Sequence, residues 1–133
     1  VERFISFEGN TGPYNLYTIV RIKSILGKYA EGGKDAAKCK MKKPQTQSEK
    51  ALMLEVAKFN NVIETAFEEL APHKICAYIY DLSNAFNRFY HETKILSEEN
   101  EDRKAGFIAL LLITKQALEA CIDMLGFEAP ERM

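Results

Sequence analysis

The chain has 133 residues, enough for one domain with a buried core, and its formal net charge is −1. Its composition, 47% hydrophobic and 28% charged, is typical of a folded soluble protein rather than a disordered one. The longest apolar run, Phe107 to Ile113, is too short to span a membrane, so we expect no membrane partner. The net charge gives no support for nucleic-acid binding, which would have to depend on a local cationic patch.

The three cysteines, Cys39, Cys76 and Cys121, are widely spaced and form no CxxC pair. This pattern indicates neither a disulfide framework nor a zinc cluster, and we expect no metal and a reducing, cytoplasmic setting. No GxSxG, P-loop or HExxH motif is present, so we expect no catalytic residues in this chain. Because the sequence begins with Val1 and has no signal peptide, we expect a fragment of a longer protein.

The first helix is predicted to begin at Thr11 or Gly12, with Thr11 as the N-cap and Pro13 in the first turn. It should continue to about Tyr29. A lysine-rich loop, residues 30–47, follows and is most simply interpreted as a solvated connection rather than a phosphate clamp.

Ser48 is the predicted N-cap of the second helical pattern, which continues to Leu70. A break near the segment Phe59-Asn60-Asn61 would divide this pattern into two helices. These features indicate helical structure throughout, and no segment shows the alternation of a series of strands.

The next helix should begin at Pro72 and continue to about His91. The last should extend from about Glu101 to Leu125 and stop at Gly126. The predicted fold is therefore all-α, a compact antiparallel helical bundle. The helix from Phe107 to Leu125 is apolar on almost every side in its first half, which predicts a position at the centre of the bundle.

Helical geometry divides the first helix into two faces. The predicted core face is broad and contains Leu16, Ile19, Val20, Ile22 and Leu26. A narrow ridge away from it carries two rings and two cations, Tyr14, Tyr17, Arg21 and Lys28. Rings can stack on unpaired bases and cations can neutralise phosphates, so this ridge suits a single-stranded RNA loop. Tyrosines that cover the edge of a core give the same pattern.

The third predicted helix divides in a similar way. Its buried stripe contains seven apolar or aromatic residues, Ile75, Tyr78, Ile79, Leu82, Ala85, Phe86 and Phe89. A second face carries the polar side chains Tyr80, Asn84, Asn87 and His91, with Tyr90 on the shoulder between the two. Amides can bind base edges, although solvated surface residues would look the same.

Three blocks resemble the C-terminal anticodon-binding (DALR-type) domain of arginyl-tRNA synthetases. The segment Phe7-Glu-Gly-Asn-Thr-Gly-Pro-Tyr14 resembles the junction with the catalytic domain, here residues 1–11. Pro72-His73, the run from Tyr78 to Asn87 and Phe89-Tyr90 resemble the family's central helix. Leu125-Gly126 and Pro130-Glu-Arg-Met133 resemble the family's C-terminal end. Together they suggest that residues 1–133 form a single anticodon-binding domain.

The resemblance implies that Tyr14, Tyr17 and Tyr90 contact the anticodon loop and that Met133 packs near it, with Arg21 and Asn87 in support. The implied partners are the anticodon stem-loop of tRNA(Arg) and the synthetase's own catalytic domain, with no DNA partner. The implied activity is attachment of arginine to tRNA(Arg) using ATP, with ATP bound in the catalytic domain upstream of Val1 and no cofactor in this chain.

Two alternatives remain at this point. The chain could be the anticodon-binding domain of another class I synthetase, although the segments Gly9–Tyr14 and Pro130–Met133 favour the arginyl enzyme. It could also be a helical protein-interaction domain whose tyrosine ridge binds a partner protein, which the neutral overall charge would suit.

Overall fold

Every regular element in the described part of the chain is helical, which confirms the predicted all-α bundle. The computed structural model describes the backbone of residues 2–125 and the side chains of residues 17–125. Those residues form five α-helices and a short 3₁₀ helix: α1 (Glu2–Glu31), the 3₁₀ helix (Ala36–Lys38), α2 (Gln47–Ala57), α3 (Phe59–Glu68), α4 (Pro72–Glu92) and α5 (Glu101–Met124).

Helix α1 begins at Glu2, so the predicted start at Thr11 or Gly12 is wrong. Residues 2–7 contain neither glycine nor proline, and a helical backbone can continue through them past the expected start. Pro13 lies inside the helix instead, where its missing N–H removes one backbone hydrogen bond. The helix ends at Glu31, within two residues of the predicted end. It stops there because Gly33 has a left-handed φ of 82° and its N–H donates to the Ala30 carbonyl.

Thr46 caps helix α2, two residues before the predicted cap, Ser48. The Thr46 hydroxyl accepts a hydrogen bond from the Glu49 N–H at 3.2 Å, and the Glu49 carboxylate accepts one from the Gln45 N–H at 3.0 Å. This arrangement resembles a capping box, which needs a glutamate or glutamine three residues after the cap. Ser48 has an alanine at that spacing and is buried in the first turn, so the prediction that it is the cap is wrong.

The break that the sequence left open near Phe59 is present at Lys58, between α2 and α3. The buried Tyr78 hydroxyl donates to the carbonyl of Glu55 at 2.6 Å and so supplies a partner at the end of α2. Helix α3 ends at Glu68 rather than at Leu70, because Leu70 adopts a φ of 51° and the Ala71 N–H donates back to the Ala66 carbonyl. That pattern resembles a Schellman ending.

Helix α5 lies at the centre of the bundle, as predicted. It contacts α1, α2, α4 and the 3₁₀ helix, and side chains such as Phe107, Leu110 and Leu118 are fully buried. By length and composition α5 could cross a membrane, but 61% of its most apolar window is buried inside the bundle. Its role as the core helix accounts for its apolar composition.

The buried face of α1 differs from the predicted one. Ile19 and Ile22 are buried as expected, but Val20 is 64% exposed and Ile25 and Tyr29 complete the buried face. At about 100° per residue, these four buried positions lie on one side of the helix and Val20 lies roughly opposite their centre. The predicted face was therefore too wide, and the side chain of Leu16 lies outside the described residues. On α4 the predicted stripe is confirmed, with Ala85 the least buried of its members.

Candidate nucleic-acid interface

Helices α1 and α4 pack against each other and bring four of the predicted site residues together. Tyr17 and Arg21 lie one turn apart on α1, and Asn87 and Tyr90 lie on α4. The ring of Tyr17 is 58% exposed, Arg21 and Tyr90 are partly buried, and Asn87 is buried. Spacing along α1 predicts the first pair, whereas the family resemblance implies the second. The packing of the two helices joins the pairs into one cluster.

The guanidinium group of Arg21 lies against both tyrosine rings. Its central carbon is 4.5 Å from the centroid of the Tyr17 ring and 4.3 Å from that of the Tyr90 ring. One terminal nitrogen donates to the Tyr17 hydroxyl at 2.7 Å, and the other donates to the Asn87 amide oxygen at 2.8 Å. Cation–π contacts and hydrogen bonds therefore hold the cation and the two rings in a fixed arrangement.

Asn87 supports this arrangement from inside the bundle. Its amide nitrogen donates to the Thr18 hydroxyl at 3.2 Å and to the Ser83 carbonyl at 2.9 Å, while its oxygen accepts from Arg21. The sequence predicts Asn87 on a polar, accessible face of α4, and that expectation is wrong because α1 covers this side of the helix. The fully buried Thr18 was not a candidate from the sequence.

A groove of about 650 Å³ opens beside the two rings. Tyr17, Arg21 and Lys28 line it from α1, Tyr90 and His91 line it from α4, and residues 93–97 of the α4–α5 connection complete it. The ring of His91 meets the Tyr90 ring nearly edge-on, with centroids 5.5 Å apart. Tyr80 and Asn84 are exposed, but they are not among the described residues that line this groove.

Two predicted contact residues cannot be placed. The side chain of Tyr14 and the whole of Met133 lie outside the described residues. Among the described residues, no group of three or more histidine, cysteine, aspartate or glutamate side chains could hold a metal ion. The described groove therefore offers rings, cations and hydroxyl groups, a chemistry suited to bases and phosphates.

Comparison with known proteins identifies the family. The family model for the DALR anticodon binding domain matches residues 15–133, nearly the whole chain. The chain belongs to this family. Since the match begins within α1 and includes α2 to α5, it covers every described element of the groove.

The relatives agree with the resemblance stated above. The chain is 65% identical over its full length to "Arginine--tRNA ligase" of Agathobacter rectalis and 50% identical to the protein of that name from Alkaliphilus oremlandii. A Francisella tularensis relative with the same name is 39% identical. The chain spans 23%, 22% and 24% of these relatives, respectively, so it corresponds to about a quarter of each.

Proposed function

We propose that this DALR domain binds the anticodon loop of tRNA(Arg) as part of an arginine–tRNA ligase. The observation that carries the proposal is the cluster of Tyr17, Arg21 and Tyr90, which unites two accessible rings with a cation beside an open groove. Unpaired bases of an RNA loop stack on such rings, and each stacked base contributes about 1–3 kcal/mol.

The remaining parts of the proposal concern the longer protein. Its activity would be the attachment of arginine to tRNA(Arg) using ATP in the cytoplasm, because the relatives are arginine–tRNA ligases. ATP would bind in the catalytic domain, which is also the intramolecular partner of this domain. Tyr14, Lys28, Asn87 and Met133 remain proposed site residues, with Asn87 acting through Arg21 rather than by touching a base.

Titration of a fluorescent hairpin RNA, whose loop carries an arginine anticodon, tests the proposal. Tyr17→Ala and Tyr90→Ala should each weaken binding by about 5- to 150-fold, the loss that corresponds to one stacked base. Tyr14→Ala should weaken it as well. The resemblance to arginyl-tRNA synthetases implies discrimination by the central cytosine that arginine anticodons share, so a hairpin in which this base is replaced should bind more weakly to the unchanged chain.

Tyr80→Ala is the matched control, since it removes an exposed tyrosine of α4 that is not among the described groove residues. It should leave the affinity for RNA nearly unchanged. If all four tyrosine variants bind RNA equally well while circular dichroism shows an intact fold, the anticodon proposal is wrong. The protein-interaction alternative would then be favoured.

A further inference from the structure

Residues 93–97 of the α4–α5 connection form a wall of the groove for which the sequence suggests no function. Thr93, Lys94 and Ser97 line the groove from this connection, and Ser24 and Lys28 line it from α1. Besides the apolar side chains Val20, Ile25, Ile95 and Leu96, the lining therefore includes hydroxyl groups and ammonium groups. Such groups commonly contact the phosphates of a nucleic acid.

Two of the three elements that line the groove contribute cations to the described lining. Arg21 and Lys28 come from α1 and Lys94 from the connection, and the described lining includes no aspartate or glutamate. Among the described side chains, none of these three cations forms an ion pair with a carboxylate. Eight ion pairs do form elsewhere on the described surface, including one between Lys23 of α1 and Glu119 at 3.7 Å.

The cationic lining of the groove contrasts with the whole chain, whose formal net charge is −1. Cations that form no ion pair in a concave surface raise the local positive potential and attract an anionic partner. A single RNA strand that places a base on the rings must also place its adjoining phosphates within the same groove. Lys94 lines the same groove as the rings and comes from a different element from Lys28, which suits contacts to those phosphates.

We infer that Lys94 and Lys28 bind phosphates of the RNA strand that adjoins the base stacked on Tyr17 and Tyr90. Thr93 and Ser97 would donate hydroxyl hydrogen bonds to the same stretch of backbone. The inference rests on the proposed function and adds to it a second contribution to RNA binding, one that does not depend on the RNA sequence. The rings bind an unpaired base, and the connection binds the phosphates beside it. Contacts to phosphates position a nucleic acid without distinguishing its sequence.

Salt dependence separates the two components. The logarithm of the association constant falls linearly with the logarithm of the salt concentration, by about 0.7 per phosphate neutralised on a single strand. With the arginine-anticodon hairpin as the probe, Lys94→Ala and Lys28→Ala should each reduce this slope by roughly 0.7 to 1. Both variants should weaken binding by the same factor for the hairpin with the replaced central base, so the discrimination between the two RNAs should persist.

Three further variants complete the experiment. Lys23→Ala removes an exposed lysine of α1 that is not among the described groove residues, and it should leave the slope unchanged. Lys94→Arg retains the charge and should restore the slope. Tyr90→Ala should reduce the affinity with little change in slope, because it removes a ring and no charge.

The outcomes distinguish this inference from the proposed function. If Tyr17→Ala and Tyr90→Ala weaken binding but Lys94→Ala and Lys28→Ala leave the slope unchanged, the phosphate-binding wall is refuted and the stacking site stands. If the unchanged chain does not bind the hairpin at all, both are refuted. If a polyglutamate peptide binds the unchanged chain more tightly than the hairpin does at the same salt concentration, and Lys94→Ala abolishes that preference, the groove selects acidic peptides and the inference is overturned.

Discussion

At the scale of single residues, the Asn87 amide connects the interior of the bundle with the Tyr17 and Tyr90 rings beside the groove. It donates to Thr18 and to the Ser83 carbonyl and accepts from Arg21, which in turn lies against Tyr17 and Tyr90. A buried amide with all three of these partners has a fixed orientation, because exchanging its oxygen and nitrogen would place two donors or two acceptors together. The position of the Arg21 guanidinium is therefore set from the core.

Asn87→Ala should lower the free energy of unfolding by about 1–3 kcal/mol, since it removes two amide donations and the acceptor for Arg21. Urea denaturation followed by circular dichroism measures this change. Asn61→Ala, at an exposed position on α3, is the control and should change stability by less than about 0.5 kcal/mol. Equal stability of the two variants would show that the hydrogen bonds of Asn87 contribute nothing to the free energy of unfolding.

At the scale of helices, the sequence predicts most boundaries well and burial less well. Pro72 lies in the first turn of α4, and Gly33 adopts a left-handed φ just after α1. The start of α4 and the end of α1 can therefore be predicted from residues at those positions. The burial of Asn87 does not, because its partners Thr18 and Arg21 are 69 and 66 residues away along the chain. Lys94 also escapes prediction, since a short irregular connection has no periodicity that assigns its side chains to a face.

Two helical glycines provide a matched test of packing between elements. A Cβ atom at Gly27 of α1 would meet nothing within 4 Å, whereas one at Gly106 of α5 would lie 2.8 Å from Cγ and 3.2 Å from Cβ of Lys42. Gly27→Ala should therefore stabilise the protein by about 0.5–1 kcal/mol, through helix propensity alone. In Gly106→Ala this gain should be offset by an overpacking cost of about 1–3 kcal/mol.

Thermal or urea denaturation of the two glycine variants measures the difference. Gly106→Ala should be at least about 1 kcal/mol less stable than Gly27→Ala. Adding Lys42→Ala removes the closest atom and should recover part of that loss. If the two glycine variants are equally stabilised, the lysine-rich segment does not pack closely over α5, and its contact with that helix does not affect the free energy of unfolding.

At the scale of the whole molecule, the buried ionisable groups of the core predict how stability depends on pH. Burial, together with the nearby Cys76, raises the pKa of the Cys121 thiol to about 12. Burial likewise raises the pKa of Tyr78, with a further contribution from the charges of Cys121 and Glu55. Both groups are buried in the core of the bundle, where the charged form would lose its contacts with water and the neutral form is therefore favoured.

The direction of the pH effect follows from proton binding. An unfolded cysteine has a pKa of about 8.5, so between about pH 8.5 and pH 12 the unfolded chain has released a proton that the folded chain retains. Because the unfolded state then binds fewer protons, the free energy of unfolding falls as pH rises through this window, by up to about 1.4 kcal/mol per pH unit for one group. Tyr78 adds a second loss above about pH 10, the ordinary value of an unfolded tyrosine.

Urea denaturation at about pH 7.5, 9 and 10.5 measures the profile. Cys121→Ala should be less stable at neutral pH because it leaves a small cavity, but its stability should fall less steeply from about pH 8.5 upward. Tyr78→Phe keeps the ring in the core and should reduce the slope only above about pH 10. A flat profile for the unchanged chain would contradict the raised pKa values. Because α5 contacts three other α-helices, urea should unfold these helices together at each pH, so helicity should be lost in a single transition.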